Sequence, residues 1–133
     1  MSSLSAFLHP AKTENKEVVV SERFQENGKP VPFVIRPITQ QENEELLKKH
    51  RKVDKQGVEQ FNRINYNQDL VAMAVVEPDL NNAELQKAHG VLGAQRLLSA
   101  MLYIGEYAIL MDEVQKLSGL DSDINEDMEE VKN

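Results

Sequence analysis

Apolar residues change their spacing several times along this chain, and each change marks an expected element. Val18-Val19-Val20 opens a β-branched run that continues through Ser21-Glu22-Arg23-Phe24, of strand length. Asn27-Gly28 follows in a polar stretch, and these two residue types accept the positive φ of a tight turn. Val31-Pro32-Phe33-Val34-Ile35-Arg36-Pro37-Ile38 then reads as a returning strand. Pro32 and Pro37 have no N–H to donate to a ladder, so the sequence places this strand at an edge, or paired on one side only. Together the runs predict a β-hairpin over residues 17–38.

Beyond it the spacing becomes helical. Thr39-Gln40-Gln41-Glu42 has capping-box spacing, in which the threonine hydroxyl and the glutamate carboxylate each satisfy an orphan N–H. The helix it opens carries Leu46, Leu47, His50 and Val53 on one face and ends before Gly57. Val58, Phe61 and Ile64, spaced by three, predict a second helical piece over about 58–64. Leu70-Val71-Ala72-Met73-Ala74-Val75-Val76 is apolar on nearly every side. Its β-branched residues allow a strand, but its length together with Tyr66 favours a buried central helix. Pro78-Asp79-Leu80-Asn81-Asn82 caps a short helix through His89, closed by Gly90, and another spans about 93–101. Gly105-Glu106 opens the clearest helix, with Tyr107, Leu110, Met111, Val114 and Leu117 as its stripe and Gly119 as its cap. The expected fold is α+β, mainly α: a hairpin over 17–38, then about five or six short helices over 40–119, packed as one domain over 17–120. Residues 1–16 read as an arm and 121–133 as an acidic tail, in which Ile124, Met128 and Val131 form a weak amphipathic stripe.

Composition narrows the functional classes. The chain has 133 residues, no cysteine and a formal charge of −7. Without cysteine there is no disulfide, thiolate metal site or cysteine nucleophile, which fits a reducing compartment. Met1 to Leu8 has no basic leader before its apolar residues stop at His9-Pro10, and no run of 18 apolar residues occurs. A cytoplasmic location is therefore expected, with no membrane contact. Residues 1–63 hold 11 Lys/Arg and 9 Asp/Glu, whereas residues 64–133 hold 4 Lys/Arg and 13 Asp/Glu. An acidic chain repels phosphate backbones, so nucleic acid is not the expected partner.

Searching for chemistry yields no assembled set. His9, His50 and His89 stand alone, and His50 lies between Lys49 and Arg51, which disfavours a bound cation. Ser99 and Ser118 lie within apolar helical patterns, with no Gly-x-Ser-x-Gly motif. The pairs Glu44-Glu45, Asp112-Glu113 and Glu129-Glu130 point about 100° apart on a helix and cannot flank one bond by themselves. Gly90-Val91-Leu92-Gly93 lacks the third glycine and the lysine of a phosphate loop. Lys48-Lys49-His50-Arg51-Lys52 with Lys55 is a basic cluster spread around a helix, which Glu44 and Glu45 can partly neutralise. A solvated face explains it best, with an acidic partner as the functional alternative. The stripes at 70–76 and 107–117 are core by default, although many short helices can also leave a groove open. No catalytic, cofactor-binding or metal site follows, and no cofactor is expected.

The order of these motifs nevertheless resembles a known family. Val20-Ser21-Glu22-Arg23-Phe24 is followed by a Gly turn, then Pro32-Phe33-Val34-Ile35-Arg36-Pro37-Ile38-Thr39 with Glu42. Val76-Glu77-Pro78-Asp79-Leu80 with Glu84-Leu85 comes next, then Leu102-Tyr103-Ile104-Gly105-Glu106-Tyr107 with Leu110, and finally Val114-Gln115-Lys116-Leu117-Ser118-Gly119. Over about residues 17–120 the chain is similar to the XkdN-like tail assembly chaperones of phages and prophages of Gram-positive bacteria. The resemblance implies a non-catalytic, non-virion helper that coats the tape measure protein and is shed as tail tube protein polymerises around it. It assigns no contact residues and leaves the oligomeric state open. A structural tail or adaptor subunit retained in the virion is the alternative, with a host-directed regulatory binder behind it.

Overall fold

The computed structural model describes residues 3–120. A five-residue helix, α1 (Leu4–Leu8), buries none of its side chains. The first strand, β1 (Lys16–Val18), pairs antiparallel with β4 (Phe33–Ile35), setting Lys16 opposite Ile35 and Val18 opposite Phe33. Between them, β2 (Gln25–Glu26) and β3 (Lys29–Pro30) close the hairpin across Asn27-Gly28. Both turn residues have positive φ, 54° and 76°, which a two-residue hairpin turn of this hand requires.

The expected edge strand is in fact central. Strand β7 (Val75–Glu77) pairs with the other side of β4, giving the order β1-β4-β7. The physical reason is length: β4 is only three residues long. Pro32 and Pro37 lie outside it, so no ladder bond needs a proline N–H. The run at 70–76 also divides. Helix α3 (Arg63–Ala74) buries Leu70, Val71 and Ala74, and the chain then extends as β7, where Val75 lies opposite Ile35. Both halves of the ambiguity between helix and strand were real, one for each part of the run.

A second correction concerns residues 51–64. Helix α2 (Gln40–His50) ends seven residues before Gly57, and Val53 lies in a strand rather than on the helix face. Strand β5 (Arg51–Val53) pairs with β6 (Glu59–Phe61) in a ribbon, where a helical piece is expected from sequence. Asp54 accounts for the turn: its Oδ1 accepts from the N–H groups of Gln56 and Val58, both at 2.9 Å. The spacing of Val58, Phe61 and Ile64 was no packing signal, since all three are exposed.

The remaining helices fall where expected: α4 (Ala83–Ala88), α5 (Ala94–Met101) and α6 (Ile104–Leu117). Beyond α6, Gly119 adopts φ 94°, and the Leu120 and Gly119 N–H groups reach the carbonyls of Gln115 and Lys116. This paired arrangement ends a helix most easily with glycine. One core joins sheet and helices. Val18, Phe33 and Ile35 from the sheet meet Val71 and Ala74 of α3, Leu97 and Leu98 of α5, and Leu110 and Val114 of α6. The amphipathic stripe read at 121–133 lies outside the described residues.

Leu110 is fully buried, whereas Ile104, six residues earlier on the same helix, is 92 % exposed. Leu110→Ala should lower stability by about 2–5 kcal/mol through lost packing and a residual cavity. Ile104→Ala should stay within about 0.5 kcal/mol of the parent. Urea denaturation checks both, and equal losses would contradict this assignment of core and surface.

Candidate partner-binding surface

Two arginines from the N-terminal β segment fix the starts of α2 and α6. Arg36, just after β4, holds Glu42 with two hydrogen bonds, at 3.0 and 2.8 Å. Glu42 is also the third residue of α2 and accepts from the Thr39 N–H at 3.1 Å, while Thr39 Oγ1 accepts from the Glu42 N–H, so the expected capping box forms. Arg23 does the same for α6. Its Nε and Nη2 donate to Glu106 at 2.8 and 2.6 Å, and Nη2 also reaches the Met101 carbonyl at 2.9 Å. Glu106 Oε1 accepts from the Tyr103 N–H at 2.7 Å, capping the helix start. The guanidinium of Arg23 lies 4.0 Å from the centre of the Tyr103 ring, a cation–π contact. Both carboxyls are drawn from an ordinary 4.5 down to about 2, first by the arginine hydrogen bonds.

A third node joins α2, α3 and α5. Buried Asp69 of α3 lies 2.5 Å from His50 Nε2 and 2.9 Å from Lys49 Nζ, and its other oxygen accepts from Gln95 of α5. Burial pushes the Asp69 carboxyl upward, but the hydrogen bonds from Lys49, His50 and Gln95 outweigh it, leaving the pKa below its ordinary value.

These braces leave an open groove of about 630 Å³ between α3, α5 and α6. Ile104, Tyr107 and Met111, at helical spacing, supply one wall, while Leu98 and Leu102 contribute from α5 and its end. Ile64 of α3, 70 % exposed, stands at the rim. Asn67, Gln68 and Ser99 are the polar members, and no charged residue lines the groove. The stripe read on α6 is therefore split: Leu110 and Val114 enter the core, whereas Tyr107 and Met111 are half-buried beside the groove. Tyr107 Oη is buried without a hydrogen-bond partner among the described residues. Burial raises its pKa.

The other candidates from the sequence are scattered. Ser118 Oγ accepts from the Ile38 N–H at 2.9 Å, and Ser99 Oγ sits 3.4 Å from Gln68 Nε2. His9 ends α1 and His89 ends α4, whereas His50, expected at a helix flank, is held by Asp69. Among the described residues no group of three His, Cys, Asp or Glu is placed to hold a metal ion. Gly90 closes α4 and Gly93 precedes α5, so they serve helix ends. Of the basic cluster, Lys49 pairs with Asp69 and Arg51 with Glu59 at 2.7 Å, rather than with Glu44 or Glu45. Asp112 pairs with Lys116 and Glu113 with Lys16. Glu129-Glu130 lies outside the described residues.

Sequence reasoning missed both Arg23–Glu106 and the Asp69 node. The only local signal was Glu106 three residues into a helix, and nothing local pairs it with a residue 83 positions away.

The described residues thus form a mixed α+β domain with braced helices beside an uncharged, mainly apolar groove. A model of the phage XkdN-like tail assembly chaperone family matches residues 4–132, and the chain belongs to that family. It is 26 % identical over 137 residues to the phage-like element PBSX protein XkdN of Bacillus subtilis strain 168, covering 96 % of this chain and 93 % of that one. It is 28 % identical over 135 residues to the uncharacterized protein YqbN of the same strain, covering 95 % and 90 %. A crystal structure of YqbN superposes with a TM-score of 0.76 at 25 % identity, over 91 % of this chain and 99 % of that one. Among the described residues no helix is long and apolar enough to cross a membrane.

Glu42 and Glu106 have folded pKa values near 2, below their unfolded value, so the stability they contribute is complete above about pH 4.5. It is lost as pH falls from there towards 2. Urea midpoints should drop across this window. A Glu42→Gln, Glu106→Gln variant should have a lower midpoint at pH 7 and a smaller drop. An unchanged drop would assign the acid sensitivity to other carboxylates.

Proposed function

We propose that this chain is a non-catalytic phage tail assembly chaperone that acts in the bacterial cytoplasm by holding the tape measure protein in the groove between α3, α5 and α6. The observation that carries this reading is the groove itself: it follows the first half of α6, from Ile104 to Met111, is lined mainly by apolar side chains, and is free of lining charge. Such a groove suits the apolar stripe of an amphipathic helix, whose anchors recur at i, i+3, i+4 and i+7. A long amphipathic protein exposes those stripes until its tube assembles, and uncovered stripes aggregate. Tail tube protein, closing around the same helix, competes for the stripe and releases the chaperone. No step in this cycle needs a nucleophile, metal or cofactor.

Co-expression with the tape measure protein encoded at the same locus tests the proposal. The two should co-purify, and the tape measure protein should become more soluble. Ile104→Glu and Met111→Glu should each weaken capture roughly tenfold or more, because an apolar anchor is worth about 1.5–3 kcal/mol when buried. Thermal unfolding of Ile104→Glu should stay near that of the parent, since the side chain is exposed. Mass spectrometry of finished particles should find the chain absent. Its stoichiometric presence would instead support a structural subunit retained in the virion.

A further inference from the structure

Two surface features away from the groove carry opposite charge. The first is the ribbon of β5 and β6. All six of its strand residues are exposed, and so are Lys55, Gln56 and Gly57 of its turn. Val53 and Val58, which flank the turn, are 67 % and 57 % exposed. The acids of the ribbon are engaged, Glu59 by Arg51 and Asp54 by the N–H groups of the turn. Lys52 and Lys55 have no ion-pair partner among the described residues. The end of the ribbon is therefore basic and apolar at once.

The second feature is an open pocket of about 610 Å³ between the β2–β3 hairpin, the end of β7, α4 and the end of α5. Phe24, Val31, Pro32 and Leu85 are among its apolar walls, and its charged members are Arg23, Glu26 and Glu77. Arg23 is held by Glu106, and Lys29, opposite Glu26 in the hairpin ladder, forms no ion pair with it. Glu26 and Glu77 are exposed and have no ion-pair partner among the described residues. This pocket is therefore acidic and apolar at once. The two features share no residue, and within one copy they do not meet, since the ribbon end stays exposed.

We propose that the ribbon end of one copy inserts into this pocket of a second copy, with Val53 and Val58 against the apolar walls and Lys52 and Lys55 at Glu26 and Glu77. Copies of net charge −7 repel one another on average, so attraction between them is found where faces of opposite sign meet. Insertion covers apolar side chains and ribbon edges that otherwise invite unspecific pairing. Because the contact joins two different faces, it can repeat from copy to copy. The inference goes beyond the proposed role of the α3–α5–α6 groove and does not depend on it, since none of the four charged residues lines that groove.

Sedimentation velocity of the full chain tests the contact by charge reversal. The parent should associate as its concentration rises. Lys52→Glu, Lys55→Glu and Glu26→Lys, Glu77→Lys should each raise the dissociation constant roughly tenfold or more, because like charges then face each other across the contact. Mixed in equal amounts, the two variants should associate again, since each reversed face finds its complement on the other. One chain carrying all four substitutions should associate by itself. Glu14→Lys, Glu17→Lys makes the same change in net charge as the pocket variant but lies outside both features, and it should associate like the parent. All the substituted residues are exposed, so thermal unfolding of each variant should stay near that of the parent. A parent that stays monomeric up to its solubility limit overturns the proposal. So does undiminished association of either reversed variant alone, or a mixture and a four-substitution chain that stay apart. Association lost equally in Glu14→Lys, Glu17→Lys also overturns it, by assigning the effect to net charge.

Discussion

A glutamate three residues into a helix, gripped by an arginine from the N-terminal β segment, is the interaction on which the rest of this domain leans. It occurs twice, as Arg36–Glu42 at α2 and Arg23–Glu106 at α6. Each carboxylate serves two purposes: it satisfies an orphan N–H at the helix start and receives two guanidinium hydrogen bonds. Charge-assisted paired bonds of this kind fix orientation as well as adding energy. Helices only 11 and 14 residues long are thereby held in a fixed direction relative to the β segment. The direction of α6 in turn decides that Leu110 and Val114 point inward while Ile104, Tyr107 and Met111 line the groove.

This dependence gives physical content to the motif order that links the chain to its family. Arg23, Arg36, Glu42 and Glu106 all lie within the stretches that carry the resemblance, and all four are clamp residues. Gly28 and Gly119 lie there too, holding backbone that a residue with a Cβ adopts poorly. At 26–28 % identity to XkdN and YqbN most positions differ, while the fold of YqbN superposes with a TM-score of 0.76. The likeness therefore speaks for fold and family, whereas the occupant of the groove has to be argued from the groove's own size, polarity and exposure.

How much could be read from sequence follows the range of the interactions. Thr39-x-x-Glu42, Asn27-Gly28 and the glycines after α4 and α6 act within a few residues, and the elements they bound were legible. Arg23–Glu106 and His50–Asp69 act across 83 and 19 residues, and no local pattern announces them. The ribbon at 51–61 was misread because spacing by three implies a buried face only where something packs on it. There, the turn chemistry of Asp54 and Gly57 decided the backbone instead. Proline likewise misled at β4, since a three-residue strand fits between Pro32 and Pro37 without using either. As for the candidate surface, the α6 stripe was visible in the sequence, but its division between core and groove was not, because that depends on where α3 and α5 lie.

The central claim is that the α3–α5–α6 groove receives an apolar stripe of the tape measure protein. Hydrogen–deuterium exchange on the full chain, alone and saturated with that protein, tests it most directly. Binding should slow exchange in the first turn of α6, where N–H groups lack acceptors within the helix, and at the facing starts of α3 and end of α5. Strands β1 and β4 should be unchanged. Protection confined to α4 or to the tip between β2 and β3, with the groove exchanging as before, would contradict the account.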